Sequence, residues 1–250
     1  MDGDQRRLLA TMPLHAITST YGEAGLRDRF AAEIASWPPA DQERMERALA
    51  LAAGLHAADR RDTEPYVNHL LRVAIRIMTY YRVRDADVIC AALLHDAVED
   101  QPAELGGSPA DHQAALATLA AQFGPRVAEL VAAVTNPVYE PGRDQHEQYR
   151  QHVADSLAAN PWARVIKASD FTDNGVGLIH TTGPRVPRLA GKYAPLVPVL
   201  ADLIARPDTP LDAAAKQRIL AQLDRAADRF AVQLKGAGTP RSRDCPPPDC

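Results

Sequence analysis

The sequence predicts an all-α fold, a bundle of about nine to ten helices packed as one domain. Apolar residues recur at helical spacing along most of the chain, and no segment alternates with strand period long enough to demand a sheet. Composition points the same way. Of the 250 residues 46% are hydrophobic but only 5% aromatic, so the core is mostly alanine, leucine and valine, which suits close helix packing. No internal repeat is apparent.

Residues 1–40 read as a partly helical N-terminal extension, with a helix over 23–36 stopped by Trp37-Pro38-Pro39. Asp41 looks like the cap of a strong helix reaching 55–59, with Met45, Leu49 and Ala52 on one side. Residues 60–65 form a polar loop. Pro65 suits the first turn of the next helix, which carries Val67, Leu70, Leu71, Ala74, Ile75 and Met78 inward. Asp85 or Asp87 starts a central helix running through Asp100. Gly106-Gly107 breaks the chain, Ser108-Pro109-Ala110-Asp111 caps a helix ending at Gly124, and Pro125 opens another to Val134. Further helices are expected over 144–159, 162–173, 186–204 and 211–234. From Gly236 the chain turns to Gly, Pro, Ser and Arg, which predicts a disordered tail over 236–250 and leaves 41–235 as the main domain.

Bulk charge limits the partners. A net charge of −4 argues against a general nucleic-acid or anionic-membrane binder. No apolar run is long enough for a membrane span, and no apolar signal core follows the first seven residues, so cytoplasmic residence is expected. Cys90, Cys245 and Cys250 make no disulfide framework.

Packing cannot explain His95-Asp96-Ala97-Val98-Glu99-Asp100, which closes the apolar run 88–94. At helical spacing His95 and Glu99 stack one turn apart, as do Asp96 and Asp100, so all four share one broad face. Acids at a helix C-terminus oppose the macrodipole by roughly 0.3–1 kcal/mol each, and a bound cation offsets that. His69 and Asp170 pose the same puzzle on apolar-faced helices. Alone, the histidine reads as a satisfied core residue and the aspartate as a surface or capping one. Together, His69, His95, Asp96 and Asp170 are two imidazoles and two carboxylates from three helices, a ligand set suited to Mn²⁺, Fe²⁺, Co²⁺ or Zn²⁺. Four such ligands leave an octahedral ion open positions for water or a substrate oxygen.

These residues resemble the HD-domain metal phosphohydrolases, specifically their RelA/SpoT-type alarmone hydrolase branch. The H…HD…D ligand positions of that superfamily match His69, His95, Asp96 and Asp170. Leu93 to Asp100 resembles the branch's LLHDVVED, and Arg60 with Glu64-Pro65-Tyr66-Val67-Asn68-His69 its R-x-x-x-E-P-Y-I-x-H. Lys167-Ala168-Ser169-Asp170 with Asn174 is similar to K-L-A-D-R-x-x-N, Phe123 to Val131 to FG-x-x-V-A-x-L-V, and Tyr193-Ala194-Pro195-Leu196 to Y-A-P-L. The likeness spans residues 41–205 in order, and no nucleotide-synthetase portion follows it, so a hydrolase-only protein is expected. It implies an HD-domain helical bundle, one divalent metal (above all Mn²⁺), and guanosine tetra- or pentaphosphate as a substrate that loses its 3′-pyrophosphate to water. It further implies Glu99 and Asp100 as the acid/base pair, Arg60 stacked on the guanine, Asn174 on the nucleotide side, and Lys167 as a phosphate contact.

The chain departs from the pattern in places. Phe171 replaces the arginine that follows the third-motif aspartate and is expected to remove a cation near the ligand. Asp173 stands where the family often has histidine, Gln101 replaces threonine and Leu70 replaces proline. Two further enzyme readings keep the fold. One is a phosphohydrolase of another nucleotide, such as NADPH or a deoxynucleotide. The other is a dinuclear phosphodiesterase or oxygenase using His112, His146 or His152. A non-catalytic nucleotide sensor is the remaining alternative.

Overall fold

The computed structural model describes residues 3–61, 63–108, 111–175, 177 and 185–237. Among these, thirteen α-helices and one two-residue hairpin account for the regular structure, more helices than the sequence predicts. The surplus comes from the N-terminus and from two helices that break. Residues 1–40 hold α1 (Gly3–Thr11) and α2 (Leu14–Ile34), the latter kinked where Gly22 adopts φ 60°, a left-handed value suited to glycine. Their Leu9, Ile17, Leu26, Phe30 and Ile34 are buried in the common core, and α2 lies along α4 (Val67–Thr79).

The helix α3 (Pro39–Leu55) starts two residues before the expected cap, because Pro39 fits the first turn and Pro38 stands just outside it. Residues 60–65 form an antiparallel hairpin, β1 (Arg60–Arg61) and β2 (Glu64–Pro65), with Arg60 opposite Pro65 and Arg61 opposite Glu64. Pro65 therefore lies outside α4 and Tyr66 precedes its first residue.

The central helix breaks. Here α5 (Ala86–Leu93) begins under an Asp85 cap, its carboxylate accepting from the amides of Asp87 and Val88. It ends at Leu94, and a separate turn of helix, α6 (Ala97–Asp100), follows. After a 3₁₀ turn at Ala103–Leu105 come α7 (Gln113–Phe123) and α8 (Pro125–Val134), hinged at Gly124, whose φ of 97° favours glycine. Then follow α9 (Gln145–Ala159) and α10 (Pro161–Asn174), capped by Asp144 and Asn160. The segment expected as one helix over 186–204 is α11 (Arg185–Tyr193) and α12 (Leu196–Ala205), since Pro195 cannot sit inside a continuous helix. The last helix, α13 (Ala213–Ala237), extends past Gly236, and the expected tail at 238–250 lies outside the described residues.

Two helices form the wall of the site. Every residue of α4 from Val67 to Met78 is buried, including Asn68, His69, Arg72 and Arg76. Across from it, α10 buries Lys167, Ser169, Asp170 and Asp173. Polar residues three and four apart share a helix face, so each helix carries a polar stripe through an apolar body. The two stripes face each other because buried polar groups need partners. No helix among the described residues is long and apolar enough to cross a membrane.

Candidate metal centre and its surroundings

At the end of these stripes four side chains converge. His69 Nε2 lies 3.4 Å from His95 Nε2, 3.4 Å from Asp170 Oδ1 and 3.7 Å from Asp96 Oδ2. His95 Nε2 lies 3.2 Å from Asp96 Oδ2 and 3.7 Å from Asp170 Oδ1. Donor atoms about 2.0–2.2 Å from a shared ion sit about 3.0–3.5 Å apart, so these separations suit a single divalent cation.

Both imidazoles are oriented for that cation. His69 Nδ1 donates to Asp173 Oδ2 at 2.9 Å, and His95 Nδ1 donates to the Ala92 carbonyl at 2.8 Å. With Nδ1 committed as donor, Nε2 is the ring nitrogen that each histidine has left to offer an ion. Burial alone depresses the His95 pKa, but Asp96 and Asp170 outweigh it and push the ring up to about 9. Asp170 is buried, yet Lys167, His69 and His95 hold its carboxyl well below the ordinary range. The pocket thus favours positive charge at its centre.

Asp173 is the hub behind His69. Burial disfavours its charge, but Arg72, His69 and Arg76 hold its carboxyl well below the usual range. Arg72 donates to both of its oxygens at 2.9–3.1 Å and also reaches Glu64, while Arg76 Nη2 donates to Oδ1 at 3.0 Å. Sequence reasoning noted Asp173 only as a departure from histidine. The signal it missed was Arg72 and Arg76, two arginines one turn apart in an otherwise apolar helix.

The four ionisable side chains after Leu94 do not share one face. The break at the end of α5 turns His95 and Asp96 to the cluster and sends Glu99 and Asp100 to two different neighbours. Glu99 accepts from Asn136 twice, from Nδ2 at 2.6 Å and from the backbone amide at 3.2 Å. Asp100 lies 3.2 Å from Tyr66 Oη, which gives its single proton to Asp96 Oδ2 at 2.7 Å. Partial burial, with Asp96 and Glu99 nearby, raises Asp100 to about 6.

The candidate substrate contacts are rearranged. Arg60 is exposed, and its neighbour Arg61 turns inward, over the Tyr66 ring at 5.5 Å and donating to Asn174 Oδ1. Arg61 Nη1 is buried with no partner among the described residues. Asn174 in turn donates to Asp170 Oδ1. Lys167 is buried and pairs with Asp170 Oδ2 at 3.0 Å, so it holds that carboxylate in place rather than standing free for a phosphate. Phe171 does not face the pocket at all. It is 2% exposed, with its edge toward Tyr193 and Phe230 at centroid distances of 5.8 and 6.5 Å, so the arginine it replaces is not missing from the ligand's side.

None of the histidines between His95 and Asp170 joins the cluster. His152 Nε2 bonds the Thr135 carbonyl at 2.8 Å, His112 precedes α7, and His146 is exposed on α9.

An all-helical domain in which His69 of α4 and His95-Asp96 at the α5–α6 junction lie close enough to share an ion has the features of the HD-domain class, and residues 48–157 match the HD domain family. The chain is 32% identical over 158 residues to a guanosine-3′,5′-bis(diphosphate) 3′-pyrophosphohydrolase of Aquifex aeolicus, spanning 20% of that protein. It is 30% identical over 144 residues to the Drosophila melanogaster MESH1 enzyme of the same activity, spanning 71% of it, and 36% identical to the Mus musculus one, spanning 60%. A solved structure of a metazoan ortholog of SpoT that hydrolyses ppGpp aligns over 76% of this chain and 97% of its own, with a TM-score of 0.57 and 25% identity. The chain belongs to the HD-domain family of guanosine-3′,5′-bis(diphosphate) 3′-pyrophosphohydrolases of the MESH1 type.

Proposed function

We propose that the protein removes the 3′-pyrophosphate of guanosine tetra- and pentaphosphate with one divalent metal, Mn²⁺ first. The observation that carries this is the convergence of His69, His95, Asp96 and Asp170, flanked by Glu99 and Asp100, in a chain of this family. Residues 41–235 form the catalytic unit in this reading, and the cytoplasm is where its substrate would be met.

His69, His95, Asp96 and Asp170 would hold the ion, which when bound polarises a phosphoryl oxygen and makes water more acidic. Glu99, fixed by two bonds from Asn136, is placed to take a proton from the attacking water. The water oxygen bonds to phosphorus as the bond from phosphorus to the ribose 3′-oxygen breaks. Asp100, raised to about 6, keeps a protonated fraction near neutrality and supplies the proton that the leaving oxygen needs. Arg61, beside Tyr66 and Asn174, presents a planar guanidinium with an unused donor to the nucleotide.

Asp100→Asn is expected to lower kcat by about 10²–10⁴ while metal content, measured by elemental analysis, stays at the wild-type level. Its effect on stability has the opposite sign. Asp100 has a folded pKa above its ordinary 3.8, so the ionised form is disfavoured in the fold. That cost is absent at about pH 4 and below, grows as pH rises toward 6, and is full above it. The metal-free Asn variant should therefore melt higher than wild type at neutral pH and equally at about pH 4. A lower Tm at neutral pH would contradict the raised pKa.

Arg61→Ala should raise KM roughly tenfold, the loss of about 1.4 kcal/mol of binding, and Arg60→Ala should leave it unchanged. Equal effects would return the nucleotide contact to Arg60. The reading as a whole is tested on a nucleotide panel with several divalent metals. If guanosine tetraphosphate survives while NADPH or a deoxynucleotide is cleaved, the substrate assignment is wrong and the metal site stands.

A further inference from the structure

Lys192, near the end of α11, is a cation that no motif assigns. It is half-buried, and among the described residues its ammonium has no carboxylate partner. Its neighbours are ring faces: Nζ lies 5.2 Å from the Tyr149 centroid and 5.5 Å from that of Tyr193. Tyr149 is also the ring under Lys167, whose Nζ is 5.7 Å from its centroid and pairs with Asp170. One tyrosine therefore carries two ammonium groups, one satisfied by the candidate metal ligand and one left over. Burial and the charge of Lys167 both depress the Lys192 pKa, and Glu99, Asp170 and Asp96 are close enough to act against them. Removing an ammonium from water beside a like charge is unfavourable unless an anion arrives. Cation–π contacts fix its position and offset only part of that cost. Preorganised charge of this kind is how enzymes meet an anion that develops or departs during reaction.

We propose that Lys192 binds the pyrophosphate group of the substrate and retains it as it leaves. This rests on the hydrolase reading above and adds a residue to it. Arg61 and Asn174 serve the nucleotide end, and the Tyr149–Tyr193 pair with Lys192 serves the phosphorus end.

The test is calorimetric titration of the Mn²⁺-loaded protein with inorganic pyrophosphate, alongside turnover of guanosine tetraphosphate. Lys192→Ala should weaken pyrophosphate binding at least tenfold and raise KM, with Mn²⁺ affinity unchanged. Lys192→Arg should restore binding to within a few-fold. Because the ammonium is strained in the free protein, Lys192→Met should leave Tm equal or higher, which a structural lysine would not do. Unchanged pyrophosphate affinity in Lys192→Ala, or a lowered Tm in Lys192→Met with unchanged KM, overturns the proposal. If pyrophosphate binds through Lys192 but guanosine tetraphosphate is not hydrolysed, the substrate reading fails and the Lys192 assignment holds.

Discussion

Asp96→Ala is expected to leave a folded protein that no longer retains Mn²⁺ and hydrolyses guanosine tetraphosphate roughly 10³-fold or more slowly. Asp96 is less buried than the other three converging side chains, and on its loss the Tyr66 hydroxyl still has Asp100 at 3.2 Å. Fold and function should therefore separate cleanly at this position. Elemental analysis of the purified variant, with circular dichroism as the control, reads the result. Retention of both metal and activity would remove Asp96 from the ligand set. Tyr66→Phe, which deletes only the hydroxyl shared by Asp96 and Asp100, should cost far less.

Asp173→Ala should be the most destabilising single change near the site. It leaves Arg72 and Arg76 buried without their shared carboxylate, and breaking a buried ion pair from one side costs about 3–5 kcal/mol. For a chain of this size that is a Tm loss on the order of 10 °C. Asp173→Asn is the informative variant. It keeps the shape and one acceptor for His69 Nδ1 but loses the charge, so metal affinity should fall by about 10–100-fold with a smaller loss of stability. Calorimetry with Mn²⁺ and thermal melts of the metal-free proteins separate the two effects. An Asn variant with unaltered Mn²⁺ affinity would show that Asp173 supports the fold without orienting His69.

The converging residues were legible in the sequence only as a set: His69 and Asp170 each have a plainer account alone, and it is together with His95-Asp96 that they read as ligands. What surrounds them depends on geometry that residue types do not encode. Arg60 and Arg61 are chemically identical, and only the pairing of the hairpin, which sends successive side chains to opposite faces, decides which one turns inward. Phe171 is next in sequence to Asp170, but one residue along a helix is a rotation of about 100°, enough to carry it from the pocket wall to the packing against Tyr193 and Phe230. Lys192 escaped because 186–204 read as one helix, whereas Pro195 ends α11 and sets its last turn beside Tyr149. The separate fates of Glu99 and Asp100 were hidden by the expectation of an unbroken helix through Asp100.

That break has an electronic consequence. The Ala92 carbonyl belongs to the last turn of α5, where peptide oxygens have no partner within the helix, and the His95 ring supplies one. The partial negative charge that accumulates at this end of α5 thereby polarises the imidazole and would make its Nε2 a stronger donor to an ion. Helix α5 would thus act as an electron-donating substituent on His95 as the proposed ligand, and any change that frays its last turn would retune the Lewis acidity of a metal held there before it altered the shape of the pocket.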